Sequence, residues 1–241
     1  MLNQVTMKKP SGVIFDLGDT VLRLHTIDWI RANEAILEHT DTETSITPKA
    51  LQDIANRINA EFEQVRIDSM IEQDVVSFYR MLFDTAGITL SISHEEAARI
   101  CWNSAYTFTP EEGINEVLEI LQLNKIPAGI LSNGSFPGVL LEEELARHNL
   151  LHRFSFVMSS ADYSIRKPHP RFFNIAARKL NLKPGDIWFV GDKLQFDVKG
   201  AIAAGMHPVW YNPRGGKPDP QYDCQEINHW NEFIDIINSL Q

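Results

Sequence analysis

Positive charge is scarce in this chain, and cysteine is scarcer. Lys and Arg together number 22 against 32 Asp and Glu, a formal net charge of −10. A field of that sign repels polyanions and argues against general binding to nucleic acid or to anionic lipid. A small phosphorylated substrate would need a local positive cluster or a metal ion. The two cysteines, Cys101 and Cys224, are far apart and lack metal-ligand spacing, so they read as reduced thiols. No apolar run is long enough to span a membrane, and residues 1–10 lack the apolar segment of a secretion signal. A cytoplasmic setting is the expectation that follows. Internal repeats and low-complexity tracts are also missing.

What is present suits a globular protein of 241 residues, with 44% hydrophobic and 22% charged residues. That length accommodates one large domain, or a domain carrying an inserted lobe. The chain is organised around Gly12-Val13-Ile14-Phe15-Asp16-Leu17-Gly18-Asp19-Thr20-Val21. Its apolar, β-branched opening reads as a strand buried on both faces, as in a parallel sheet. Asp16 then falls at the C-terminal edge of that strand, where open α/β sheets place their ligands, and Gly18 allows a tight turn.

From about Thr26 to Phe108 the periodicity is helical, with no convincing strand. A first helix starts at residues 26–30 and runs towards His39, and the polar patch at 40–45 is a loop. Thr47-Pro48 pairs a cap with proline at the first helical position and opens a long helix towards Met70. A third runs over about 73–86 and ends at Gly87. Ser93-His94-Glu95-Glu96 has the form of a capping box and opens a fourth. Aromatic residues at helical spacing here read as core. From Thr109 onwards strands alternate with helices, with strands at 127–131, 154–158, 187–190 and 207–211. Such alternation means a parallel sheet with helices on both faces.

Four chemical features fall at strand ends or in nearby loops. Asp16 follows the first strand, and Ser132-Asn133-Gly134 follows the second. Lys167 sits in a polar connection, and Asp192, with Asp197 five residues on, follows the strand at 187–190. Neighbouring strand ends of a doubly wound sheet converge on one crevice. Carboxylates, a lysine and a small hydroxyl-bearing loop suit phosphoryl chemistry there. A carboxylate attacks phosphorus, Mg²⁺ takes carboxylate and carbonyl oxygens, and N–H groups with a lysine bind phosphate.

The order and spacing of these pieces resemble the haloacid dehalogenase-like hydrolase superfamily, in its subfamily with a helical cap after the first motif. The motifs are Asp16-x-Gly18-Asp19-Thr20, Ser132-Asn133-Gly134, Lys167-Pro168-His169-Pro170 and Gly191-Asp192 with Asp197, Gly200 and Gly205. The resemblance implies an α/β fold: a Rossmann-like, doubly wound parallel core over 1–22 and 109–241, with an inserted helical cap over 23–108. It implies that Asp16 is nucleophile and Mg²⁺ ligand. Gly18 would lend a backbone carbonyl to the metal and Asp192 would ligate it. Asp197 would hold a metal-bound water or orient Lys167. Ser132, Asn133 and Gly134 would bind phosphate, and Lys167 would offset charge and keep Asp16 ionised. The family's phosphatases carry a second Asp two residues after the nucleophile as general acid and base. That position is Gly18 here, so Asp19 is the candidate substitute. The implied function is a Mg²⁺-dependent phosphatase acting on a small phosphorylated metabolite, with Arg23, His25 and Trp29 near the cap hinge as candidate substrate contacts. A 2-haloacid dehalogenase and a non-catalytic binding protein on the same fold are the alternatives.

Overall fold

The computed structural model describes residues 8–41 and 45–240. The chain begins with β1 (Gly12–Phe15), which is buried at every position, and reaches β2 (Leu22–Ile27) within seven residues. Four helices follow: α1 (Trp29–Leu37), α2 (Pro48–Ser69), α3 (Val75–Ala86) and α4 (His94–Ala105). The chain returns through β3 (Tyr106–Pro110), which pairs antiparallel with β2. Next come α5 (Ile114–Leu123), β4 (Ala128–Ser132), α6 (Gly138–Arg147), β5 (Val157–Ser159), the short α7 (Ser160–Tyr163) and α8 (Pro170–Lys179). The remainder is β6 (Ile187–Gly191), α9 (Lys199–Ala204), β7 (His207–Tyr211), β8 (Gln225–Ile227) and α10 (Trp230–Ser239).

Six strands form one parallel sheet in the order β5-β4-β1-β6-β7-β8. Strand alternation sorts its side chains between two apolar layers. Val13, Phe15, Trp188 and Val190 pack with residues of α5, α6 and α10. Ile14, Ile187 and Phe189 pack with Phe172, Phe173, Ala176 and Ala177 of α8 and with Ala201 of α9. Helices therefore cover both faces, as the alternation predicts. The first layer continues through Leu17, Val21 and Leu22 into Ala32, Ile36, Leu51 and Ala55 of the helical segment. Among the described residues, no helix is long and apolar enough to cross a membrane.

The helix starts follow local chemistry. Thr47 Oγ1 accepts from Ala50 N at 3.2 Å ahead of Pro48, and Ser93 Oγ accepts from Glu96 N at 3.1 Å. Gly87 closes α3 at φ 66°. The entry to the helical segment differs from the sequence reading. The chain is still extended at Thr26 and Ile27, and α1 begins only at Trp29, capped by Asp28, whose Oδ1 accepts from Arg31 N at 3.0 Å. Pairing with β3, about eighty residues downstream, makes this stretch a strand, and a local periodicity window cannot register such a partner. The strand expected at 154–158 shortens to β5, and β8 is too short and polar to announce itself. Of the polar loop at 40–45, residues 42–44 lie outside the described residues, as do residues 1–7.

Candidate active site

The C-terminal ends of β1, β4 and β6 meet at Lys167. This lysine is 2% exposed, and its Nζ donates to Asp16 Oδ1 at 2.5 Å and to Asp197 Oδ1 at 2.7 Å. Asp16 continues the ladder of β1, its N–H donating to Val190 O at 2.8 Å. Asn133 holds the backbone on either side of the lysine's Cα. Its Oδ1 accepts from Lys167 N at 2.8 Å and its Nδ2 donates to Lys167 O at 3.0 Å. The sequence reading assigns Asn133 to phosphate binding and does not contain this clasp.

Asp197 reaches the cleft because the chain after β6 makes a wide π-type turn over Leu194–Val198 before α9 begins. Its Oδ2 accepts from Lys193 N at 2.9 Å. Gly191 leaves the space this carboxylate occupies. A Cβ there would lie 2.4 Å from Asp197 Cγ and 2.6 Å from its Cβ. Gly191→Ala is therefore expected to displace Asp197 and loosen its bond to Lys167. An overpacking cost of about 1–3 kcal/mol should appear as a melting temperature lower by roughly 2–10 °C in differential scanning calorimetry.

Carboxylate oxygens of Asp16, Asp192 and Asp197 lie within 4.8 Å of one another. Burial pushes the Asp16 carboxyl up to about 7, with the Asp197 and Asp192 charges adding to the shift and Lys167 opposing it. Lys167 favours the ionised Asp16, as the resemblance implies, but it does not hold the carboxyl ionised against burial and two neighbouring carboxylates. Burial also lowers the Lys167 ammonium, but Asp16 and Asp197 reverse that and hold it above its usual value. Asp192 is likewise raised by burial, against the hydrogen bond from Lys193. Three carboxylates around one buried lysine leave negative charge in excess, and every donor is an oxygen. That donor set fits a hard divalent cation such as Mg²⁺, which would supply the missing positive charge.

Ser132 ends β4 and lines the same cavity of about 300 Å³, together with Gly18, Asp19, Asn133 and Gly134. The Gly134 N–H is already committed to Ser160 Oγ at 2.9 Å. Leu24, Trp102, Tyr106 and Phe108 also line the cavity. Tyr106 and Phe108 stack with ring planes 4° apart. The aromatics that read as core therefore also border the site.

The turn after Asp16 differs from its sequence reading. The left-handed residue is Asp19, at φ 58°, and not Gly18. Asp19 Oδ1 accepts from Leu24 N at 3.2 Å and Arg214 Nη2 at 2.8 Å, and its Oδ2 accepts from Arg214 Nη1 at 3.0 Å. Burial raises this carboxyl, but the Arg214 and Leu24 donors outweigh it and hold Asp19 below the usual range. Gly18 borders open space, with nothing within 4 Å of an added Cβ. Among the hinge candidates, Arg23 forms a two-point pair with the buried Glu111, at 3.1 and 2.7 Å, and His25 Nε2 bonds Thr109 Oγ1 at 2.8 Å. Both are occupied in tying β2 to β3 and the segment after it. Trp29 packs edge-on against Tyr106, with ring centroids 5.5 Å apart.

A family model described as haloacid dehalogenase-like hydrolase matches residues 13–211. The chain is similar to a glyceraldehyde 3-phosphate phosphatase of Methanocaldococcus jannaschii, 25% identical over 95% of this chain and 98% of that protein. It is also similar to (S)-2-haloacid dehalogenase 2 of Pseudomonas sp. strain CBS-3, 25% identical over 86% of this chain and 85% of that protein. Among solved structures, a 2-haloacid dehalogenase of Pseudomonas syringae pv. Tomato DC3000 superposes with a TM-score of 0.70. It is 23% identical and covers 97% of this chain and 99% of that one, a likeness of fold.

Proposed function

This chain belongs to the haloacid dehalogenase-like hydrolases, and from that premise we propose that it is a Mg²⁺-dependent phosphatase of small phosphorylated metabolites, working through an aspartyl-phosphate on Asp16. The observation that carries the reading is Asp16 bonded to the buried Lys167 while facing Asp192 and Asp197. In this reading residues 23–108 are the cap, and the two unpaired cysteines accord with a cytoplasmic setting.

Asp16 would attack phosphorus through a carboxylate oxygen, forming the acyl-phosphate bond as the ester P–O bond breaks and the alcohol leaves, its oxygen taking a proton from solvent. Water would then cleave the acyl phosphate, releasing inorganic phosphate and restoring the carboxylate. Lys167 would offset the charge of nucleophile and phosphoryl oxygens, and Ser132 and the Asn133 N–H would hold those oxygens. Asp16, Asp192 and the Gly18 carbonyl would hold Mg²⁺, with Asp197 completing the acidic set. The bound ion supplies neutralisation of phosphoryl charge and keeps Asp16 ionised. Chelation with EDTA should abolish turnover of p-nitrophenyl phosphate and Mg²⁺ should restore it. Asp192→Ala should shift the Mg²⁺ titration to higher concentration. A specific observation favours the second reading, a metal-independent dehalogenase: Gly18 stands where a phosphatase carries its acid. Release of halide from 2-chloropropionate that survives EDTA would establish that reading instead.

Asp19 was the candidate acid, but a carboxylate held ionised by Arg214 has no proton to hand on. We assign it to the turn. Asp19→Asn should then slow alkyl and nitrophenyl phosphates by similar factors, since only an alkoxide leaving group needs the acid. A loss confined to alkyl phosphates would return the acid role to Asp19. Because Gly18 borders open space, Gly18→Asp should raise the rate on alkyl phosphates by up to about 10²-fold.

A further inference from the structure

We propose that a side pocket opening off the catalytic cavity is an anion subsite, in which Arg66 and Arg166 hold a second anionic group of the substrate. The proposal rests on the phosphatase reading and names its substrate class: phosphate esters that carry a carboxylate or a second phosphate.

The pocket has a volume of about 460 Å³. It shares Gly134, Arg166, Lys167 and Phe196 with the catalytic cavity. A substrate whose phosphoryl group sits at Asp16 therefore has this space beside it. Arg66 enters from the last turn of α2, half-buried, and its guanidinium makes no hydrogen bond or ion pair with another described residue. Arg166 enters from the core side. Its Nε lies 3.6 Å from Glu72 Oε2 and its guanidinium carbon 5.9 Å from the centroid of the Phe196 ring. Its remaining guanidinium nitrogens have no hydrogen-bond partner among the described residues.

Glu72 is the positioning residue. It is buried between α2 and α3, where its Oε2 accepts from Ser160 Oγ at 2.9 Å. The Arg166 N–H donates to Met70 O at 3.0 Å and the Glu72 N–H to Ser164 O at 3.3 Å. The segment between α2 and α3 is thus fastened to the loop that carries Arg166, with one edge of the guanidinium pinned. The other acid bordering the pocket, Glu63, is exposed and stands one turn before Arg66 on α2, with no ion pair to it.

Charge accounting separates these arginines from the catalytic set. Lys167 is committed to Asp16 and Asp197, and Lys193 to Asp192. Arg66 and the free edge of Arg166 are uncommitted, in a protein of net charge −10. Planar guanidinium groups match carboxylate and phosphate oxygens two at a time, and cleft burial strengthens the pairing. They add a local positive cluster beside the phosphoryl site in a chain of net negative charge.

The test measures binding by calorimetry on Asp16→Asn in Mg²⁺, so that it does not depend on turnover. Two ligand pairs are compared: 3-phosphoglycerate with glycerol 3-phosphate, and fructose 1,6-bisphosphate with fructose 6-phosphate. The member carrying a second anionic group should, in at least one pair, bind about tenfold or more tightly. The pair that shows the gap identifies carboxylate or second phosphate as the occupant. Adding Arg66→Gln should close most of that gap, and Arg66→Lys should keep part of it. Equal affinities within both pairs, or a gap indifferent to Arg66→Gln, would overturn the subsite. The phosphatase reading is judged apart, by turnover of p-nitrophenyl phosphate by the unaltered chain.

Discussion

Asp16→Asn is expected to lose at least about 10⁴-fold in kcat on p-nitrophenyl phosphate while remaining folded. An amide nitrogen or oxygen does not replace the carboxylate as a nucleophile at phosphorus, and the covalent route closes. The fold should survive, since the bond from Lys167 Nζ to Asp197 Oδ1 at 2.7 Å is left in place. The same substitution separates metal-free stability by pH, with a definite sign. Burial raises the folded-state Asp16 carboxyl from 3.8 to about 7. Its contribution to stability is then fully present below pH ~4 and is lost as the pH rises through about 7. Without Mg²⁺, the chain should therefore lose stability relative to Asp16→Asn between pH 5 and 7.5. Saturating Mg²⁺ should remove that loss. Calorimetric melts of the two proteins across this range check both statements, and parallel pH profiles would contradict them.

Lys167→Met is expected to have the largest effect on stability. The substitution leaves Asp16 and Asp197 buried together without the ammonium that joins them. Breaking a buried ion pair from one side costs about 3–5 kcal/mol. For a chain of this size, that lowers the melting temperature by roughly 6–20 °C. Activity should fall as well, since the charge that offsets the phosphoryl oxygens is gone. Combining Lys167→Met with Asp197→Asn should recover much of the stability and none of the activity, because it removes the repulsion without replacing the lysine. An unchanged melt for Lys167→Met would mean that the triad holds little of the fold together.

The parts of this site that could be read from the sequence are those whose signal is local. Asp16 and Asp192 each follow an apolar run that reads as a buried strand, so their places at strand ends were legible. Asp197 was legible by its spacing from Asp192, and Lys167 by its Pro-containing connection. What stayed hidden depends on partners distant in sequence. Asp19 is tied up by Arg214, which lies 195 residues away. Asn133 clasps Lys167 through side-chain orientation, which composition does not encode. The end of strand β2, Thr26 and Ile27, read as the start of a helix because its partner β3 returns only after the whole helical segment. Gly191 looked like part of a motif, whereas its physical duty is to leave room for the Asp197 carboxylate. Glu72 and Arg166 carried no signal at all, since their pairing exists only once the segment between α2 and α3 is docked.

The central claim is that Asp16 carries the phosphoryl group during turnover. The most direct measurement mixes the protein with Mg²⁺ and a phosphate ester, quenches in acid within the first turnovers, and maps the modified peptide by mass spectrometry. The account predicts one phosphoryl group on Asp16, labile to hydroxylamine as an acyl phosphate and absent when Mg²⁺ is withheld. Turnover of the ester with the phosphoryl group on another residue, or with none on Asp16 under conditions that trap acyl phosphates, would contradict it.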